Sequence, residues 1–129
     1  MVEEVKCPIE TGLKYLGKKW SFEIIRDMFF GKKRFNEFLA SKPKLSSKVL
    51  STRLKELQEN GIIEKTVSNT FPVNIKYELT NKGKALNKII YELAVFELRT
   101  CDDFMENGKL KECAQPALEN LKKALNIFD

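Results

Sequence analysis

The sequence predicts a mainly α fold with a small β-hairpin and additional helices after it. Three observations carry that expectation. Apolar residues recur at helical spacing in several separate stretches. Two short segments alternate apolar and polar residues on either side of a loop containing Asn and Pro. The chain has 129 residues, room for one compact unit and little more.

Pro8 opens the first helix, with Ile9, Leu13 and Leu16 at helical spacing, and Gly17 ends it. A second helix starts near Lys19, with Trp20, Ile24, Ile25, Met28 and Phe29 on one face and Gly31 as its C-terminal cap. The basic tripeptide Lys32-Lys33-Arg34 leads into a short helix bearing Phe35, Phe38 and Leu39. Ser41-Lys42-Pro43-Lys44 reads as a turn, because proline disfavours helix in the residue before it. Ser46 or Ser47 caps a fourth helix that runs to Asn60 and stops at Gly61, with Leu50, Leu54 and Leu57 as its buried stripe. Ile63 and Val67 mark a first strand, and Ile75, Tyr77 and Leu79 a second, with Asn69, Pro72 and Asn74 in the loop between them.

Thr80 caps a long helix over residues 80–105, apolar at Leu86, Ile89, Ile90, Leu93, Val95, Phe96 and Leu98. That stripe is wider than one face needs. Gly108 breaks the pattern, and Pro116 starts a last helix with Leu118, Leu121, Leu125 and Phe128. The expected division is a first unit at 1–98 and a helical extension at 99–129.

Charge and composition then narrow the function. Lys and Arg total 23 against 18 Asp and Glu, a net of +5. Residues 1–96 hold 18 basic and 11 acidic side chains, hence +7, and residues 97–129 hold 5 and 7, hence −2. An anionic partner for the first part is the simple expectation. The longest wholly apolar run is Leu93 to Phe96, where a bilayer span needs about 20 residues. The N-terminus carries no signal-peptide apolar core either, so a cytoplasmic protein with no membrane partner is expected. The absence of histidine removes Ser-His-Asp and Cys-His catalysis, His-ligated zinc and the commonest general base. Cys7, Cys101 and Cys113 form no CxxC pair, and neither a metal nor a cofactor is expected. Without a glycine-rich phosphate loop or a close carboxylate pair in a loop, the sequence argues against a small enzyme.

Short helices, a tight turn, a polar-faced helix and a hairpin together describe a winged helix-turn-helix. At about 100° per residue, Ser51, Thr52 and Lys55 fall within about 60° of Lys48, opposite the three leucines. Ser47 lies at the N-terminal edge of that face, which holds no acid among these residues, and Glu56 and Glu59 come late, toward the end that should leave the groove. Small hydroxyls let a helix sink into the major groove of double-stranded DNA and bond base edges, while lysines reach phosphates or guanine acceptors. The helix N-terminus, with Ser46, presents N–H groups to a phosphate. Lys32, Lys33 and Arg34 are placed to grip the backbone beside it. Arg53 sits at the border, reaching either phosphate or Glu56 or Glu37. The wing, residues 66–75, is the longest uncharged stretch, flanked by Lys65 and Lys76. It is expected near the minor groove with Asn69 or Asn74, a weak grip. The alternative function, a protein-interaction module on the same fold, predicts acids on the exposed face of the fourth helix, where there are none.

The stretches CPIE at 7–10, LGKKW at 16–20, RFNEF at 34–38, LSSKVLSTRLKELQENGIIEK at 45–65 and YELTNKG at 77–83 resemble the HxlR family of winged-helix regulators. The resemblance covers about residues 7–98. It implies a small homodimeric DNA-binding transcriptional regulator. Where family members usually carry a basic residue just before the second strand, this chain has Asn74. Cys7 matches an N-terminal cysteine that some family members use to sense oxidants, quinones or aldehydes, so an oxidant or small-molecule effector is implied. Lys6 and the following helix N-terminus favour a thiolate there, and a packing role at a dimer edge is the alternative. Cys101 and Cys113 match no family role. Leu86, Ile90, Leu93, Phe96 and Phe104 are the surplus apolar residues expected to meet a second copy, which places two reading helices about 34 Å apart on a palindromic operator. The other possibility is that the last helix covers this surface within one chain.

Overall fold

The computed structural model describes residues 6–128. The chain forms α1 (Pro8–Leu16), α2 (Ser21–Phe29), α3 (Phe35–Ala40), α4 (Ser47–Glu59), β1 (Ile63–Val67) and β2 (Ile75–Leu79). It continues through α5 (Asn81–Lys84), α6 (Asn87–Thr100), a two-residue-strand hairpin of β3 (Met105–Glu106) and β4 (Lys109–Leu110), a 3-10 turn (Glu112–Ala114) and α7 (Gln115–Ala124). The fold is mainly helical with an antiparallel wing, as the sequence predicts.

The core gathers one side of each element. Ile24 and Ile25 of α2, Phe38 of α3, Leu50, Leu54 and Leu57 of α4, Ile62, Ile63 and Tyr77 at the base of the wing, and Leu86, Ile90 and Leu125 form one buried cluster. Burying a side chain of this size stabilises the fold by about 1.5–3 kcal/mol. Register in the wing runs from Ile63 opposite Leu79 to Val67 opposite Ile75. Its root is tied down: the Tyr77 amide donates to the Lys33 carbonyl at 2.8 Å, and the Thr80 amide to the Ile62 carbonyl at 3.0 Å. Gly83 lies so close to the Ile62 carbonyl that an added Cβ would stand 2.2 Å from that oxygen, which is why the chain has no side chain there.

Several sequence expectations change. Trp20 does not lie on α2. It precedes the helix in a left-handed conformation (φ 81°), half-buried, and Ser21 closes the joint by donating to the Tyr15 carbonyl at 2.8 Å. The long helix expected over 80–105 is two helices. Thr80 does cap the first, its oxygen accepting from the Gly83 amide at 3.1 Å, but the chain tightens at Ala85–Leu86, where the Leu86 amide bonds back three residues to Gly83. That turn lets both Leu86 and Ile90 point into the core. The helix then stops at Thr100, and a hairpin follows that periodicity did not reveal. Its turn, Asn107-Gly108, has positive φ at both residues (51° and 75°), as a two-residue type I′ loop requires.

The last helix starts one residue earlier than Pro116 and ends at Ala124. Leu125 follows it and is fully buried, whereas Phe128 lies beyond it, exposed. The Asn87 amide group donates to the Leu125 carbonyl at 2.9 Å, locking the chain's end against the start of α6. Lys42, in the expected turn, is buried against the equally buried Asp27 of α2 in a direct ion pair. Burial, helped by the nearby Arg26 cation, pulls the Lys42 pKa below the usual lysine value.

Candidate nucleic-acid interface

The reading helix is positioned by its own ends. After α3, the Lys42 and Leu45 amides close a tight turn by bonding to the Leu39 and Lys42 carbonyls. Buried Leu45 pins that turn to the core. Ser46 then caps α4, its hydroxyl oxygen accepting from the Val49 amide at 3.1 Å. The Ser46 oxygen therefore serves the helix as well as facing solvent. With Leu50, Leu54 and Leu57 fully inward, Ser47, Lys48, Ser51, Thr52 and Lys55 are all exposed on the other side. Thr52 donates to the Lys48 carbonyl at 3.0 Å, which fixes its hydroxyl on the face. Lys48 and Lys55 enter none of the ion pairs among the described residues. Over the first turns of α4 this surface is polar, cationic and without an acid, and the exposed Glu59 joins the same side only in the last turn. Glu56 is turned aside, paired with Lys18 at 3.0 Å and with Arg53.

That pairing settles Arg53. Its Nε donates to the Lys19 carbonyl at 2.8 Å and its Nη1 reaches Glu56 at 3.4 Å. With its side chain mostly buried, Arg53 joins α4 to the turn before α2 and is not presented to a phosphate. The basic tripeptide is also less available than expected. Lys32 bonds Ser41 at 2.6 Å and lies 3.6 Å from the Asp27 carboxylate, so it is held within the fold. Lys33 faces Glu78 at 4.0 Å, both half-exposed, a loose surface pair. Arg34 donates to the Asn74 side-chain oxygen at 2.6 Å, and its own amide is capped by Glu37. Asn74 is thus a tether for the wing and its oxygen is taken. Asn69 is exposed in the loop and Lys76 is half-buried on β2. This cross-chain tie between Arg34 and Asn74 has no signal in local sequence, since 40 residues separate the partners.

An exposed apolar surface on the wing was also missed. Val67, Phe71, Val73 and Ile75 are exposed on the wing. The sequence did carry a sign of it, an aromatic and branched apolar residues inside an uncharged loop.

The surplus apolar surface divides in two. Leu86 and Ile90, expected to face a partner, are buried in the chain's own core and leave that surface. Tyr91 lies beneath the Lys122 ammonium at 5.9 Å, and Tyr91 and Leu121 pack against the core, so α7 covers one flank of α6. On the other flank Ile89, Leu93 and Phe96 remain exposed, with Phe104 beyond them. On α1, Ile9 and Leu13 are exposed too, and no residue of that helix is buried. Cys7 stands exposed at the N-cap of α1, its carbonyl accepting from the Thr11 amide and hydroxyl. Cys101 is half-buried and Cys113 exposed.

Comparison with known proteins follows the same geometry. A family model described as HxlR-like helix-turn-helix matches residues 15–104. The HTH-type transcriptional regulator YodB of Bacillus subtilis is 40% identical over 103 residues, 79% of this chain and 88% of that one. The structure of reduced YodB superposes with a TM-score of 0.68 at 38% identity, covering 77% of this chain and 98% of that one. The redox regulator HypR in its oxidised form gives a TM-score of 0.68 at 33% identity, over 74% and 99% of the two chains.

Proposed function

The chain belongs to the HxlR-like helix-turn-helix family of DNA-binding transcriptional regulators, and from that premise we propose that it acts as a homodimer on a two-fold-symmetric operator. One observation carries the reading. The outward face of α4 presents Ser47, Lys48, Ser51, Thr52 and Lys55 with no acid among them. The hydroxyls suit base edges and the lysines suit phosphates. Lys33 and the α4 N-terminus, with Ser46, add backbone contacts. Lys32, Arg34 and Arg53 hold the scaffold instead. In this reading residues 1–98 are the DNA-reading unit. Residues 99–129 brace α6 from behind and leave Ile89, Leu93 and Phe96 to meet the second copy, with Phe104 at the margin. Two such copies set their reading helices about 34 Å apart, one turn of duplex.

The effector side of the reading rests on Cys7. Its thiol is exposed at a helix N-terminus beside Lys6. HypR is described as a redox regulator, and YodB is known in a reduced form. Oxidation or electrophile addition at Cys7, next to the exposed face of α1, then changes how two copies pack.

Selection of binding sites from a random duplex pool tests both parts. A palindromic motif is expected, lost for Lys48→Glu combined with Lys55→Glu while that variant stays folded. Binding that survives both substitutions sinks the assigned face. Added oxidant is expected to weaken binding by the parent chain and not by Cys7→Ser. Equal loss in both removes Cys7 as the sensor.

A further inference from the structure

The apolar face of the wing outruns the core it starts from. Ile63, Tyr77 and Leu79 lie at the base, and the first two are buried. The same face continues through the cross-strand pair Val67 and Ile75, both exposed, to Val73 at 64% and Phe71 at 98% exposure in the loop. Among the described residues nothing touches Phe71 to any extent, although removing such a ring from water is favourable. The loop is nonetheless held in shape. The Ser68 amide donates to the Asn74 carbonyl at 2.7 Å, Ser68 and Thr70 share a 2.6 Å hydroxyl contact, and Arg34 clamps Asn74.

Charge decides what this tip suits. No charged residue lies between Thr66 and Ile75. Lys65 stands at the root on the apolar face and Lys76 on the opposite face, since Lys65 pairs across the hairpin with Tyr77 and Lys76 with Thr66. A neutral apolar tip with one cation on each side of its root matches a groove whose rims are phosphate, whose walls are apolar sugar faces and whose base faces become available when a step unstacks. The loop is also bonded to the N-cap of α3, through Arg34 and Asn74, so the wing is fixed to the first helix of the helix-turn-helix pair.

We propose that the wing enters the minor groove as an apolar wedge, with Phe71 pressed into a base step and Val73 behind it, while Lys65 and Lys76 hold the phosphates on either side. Side chains of this kind partly unstack a step and bend the duplex toward the major groove. The sequence preference they confer falls on flexible pyrimidine–purine steps flanking the half-sites, at positions read through deformability rather than hydrogen bonds. The inference rests on the DNA-binding reading above and adds to it a mode of binding by the wing.

The experiment uses the intact chain and a duplex enriched from a random pool. It compares the parent chain with Phe71→Ala and with Phe71→Leu, which keeps an apolar wedge. Bending is read from energy transfer between dyes on the duplex ends, and unstacking from 2-aminopurine placed at successive steps beside the half-site. The parent is expected to brighten 2-aminopurine at one step and to shorten the end-to-end distance. Phe71→Ala should lose both signals and bind several-fold more weakly, with the salt dependence unchanged because no charge is removed. Phe71→Leu should keep most of the bend. Equal bending and brightening by the parent and Phe71→Ala overturn the wedge while leaving the DNA reading in place. A change in molecular mass instead of in bend assigns the tip to a second copy and also overturns it. If the parent enriches no duplex at all, the DNA reading itself falls and the wedge with it.

Discussion

Helices α4 and α6 are nearly equal in length and differ in how much of their apolar surface the chain can cover. On α4, three leucines at consecutive turns are all buried, and everything opposite them is hydroxyl, amide or charge. On α6, Ile90 alone is buried, while Ile89, Leu93 and Phe96 stand half or more exposed. The first helix is finished inside one copy and offers a polar surface to an unlike partner. The second is unfinished, and its surplus fits a like surface. A stripe that matches its own burial points to recognition by hydrogen bonds and charge. A stripe that exceeds it points to assembly.

The contrast is sharpened most by truncating each stripe. Leu54→Ala removes a fully packed side chain and is expected to cost about 2–5 kcal/mol, read as a lower urea midpoint with unchanged slope. A loss below about 1 kcal/mol would mean that α4 is not the finished helix described here. Leu93→Asp leaves the core untouched. It should weaken self-association by about 2 kcal/mol or more and shift the sedimentation profile toward monomer, with far-UV dichroism preserved. If the mass stays that of a dimer, the exposed flank of α6 is not the interface. The smallest effect belongs to Ser46→Ala, which deletes the cap of α4 and should lower stability by about 1 kcal/mol without moving the oligomer equilibrium.

Much of this was legible in sequence because it depends on local periodicity. The leucine stripe of α4, a serine cap at 46 or 47, the hairpin and the hydroxyl-and-lysine face follow from residue spacing alone. What stayed hidden depends on contacts between distant segments. Arg53 sits in a sequence that permits either phosphate or an internal carboxylate, and only the approach of Lys19 and Glu56 fixes it inside. Arg34 and Lys32 look like solvated cations until Asn74 and Asp27 are brought to them. Lys42 is the extreme case, a turn lysine buried because an acid on α2 lies across from it. Leu86 and Ile90 were misassigned for a related reason. The helical pattern ran unbroken through a turn at Ala85–Leu86, where the Leu86 amide bonds back to Gly83. The Asn107-Gly108 hairpin, by contrast, was written locally in a two-residue signal.

The bond from the Tyr77 amide to the Lys33 carbonyl has a thermodynamic consequence. It attaches the approach to α3 to the wing as a third short extended segment, and Arg34 doubles the attachment at Asn74. The first helix of the helix-turn-helix motif and the wing are therefore one preassembled template. Little conformational entropy remains to be lost between them when a duplex docks, so discrimination falls on the nucleic acid, which must adopt the spacing and curvature already set in the protein.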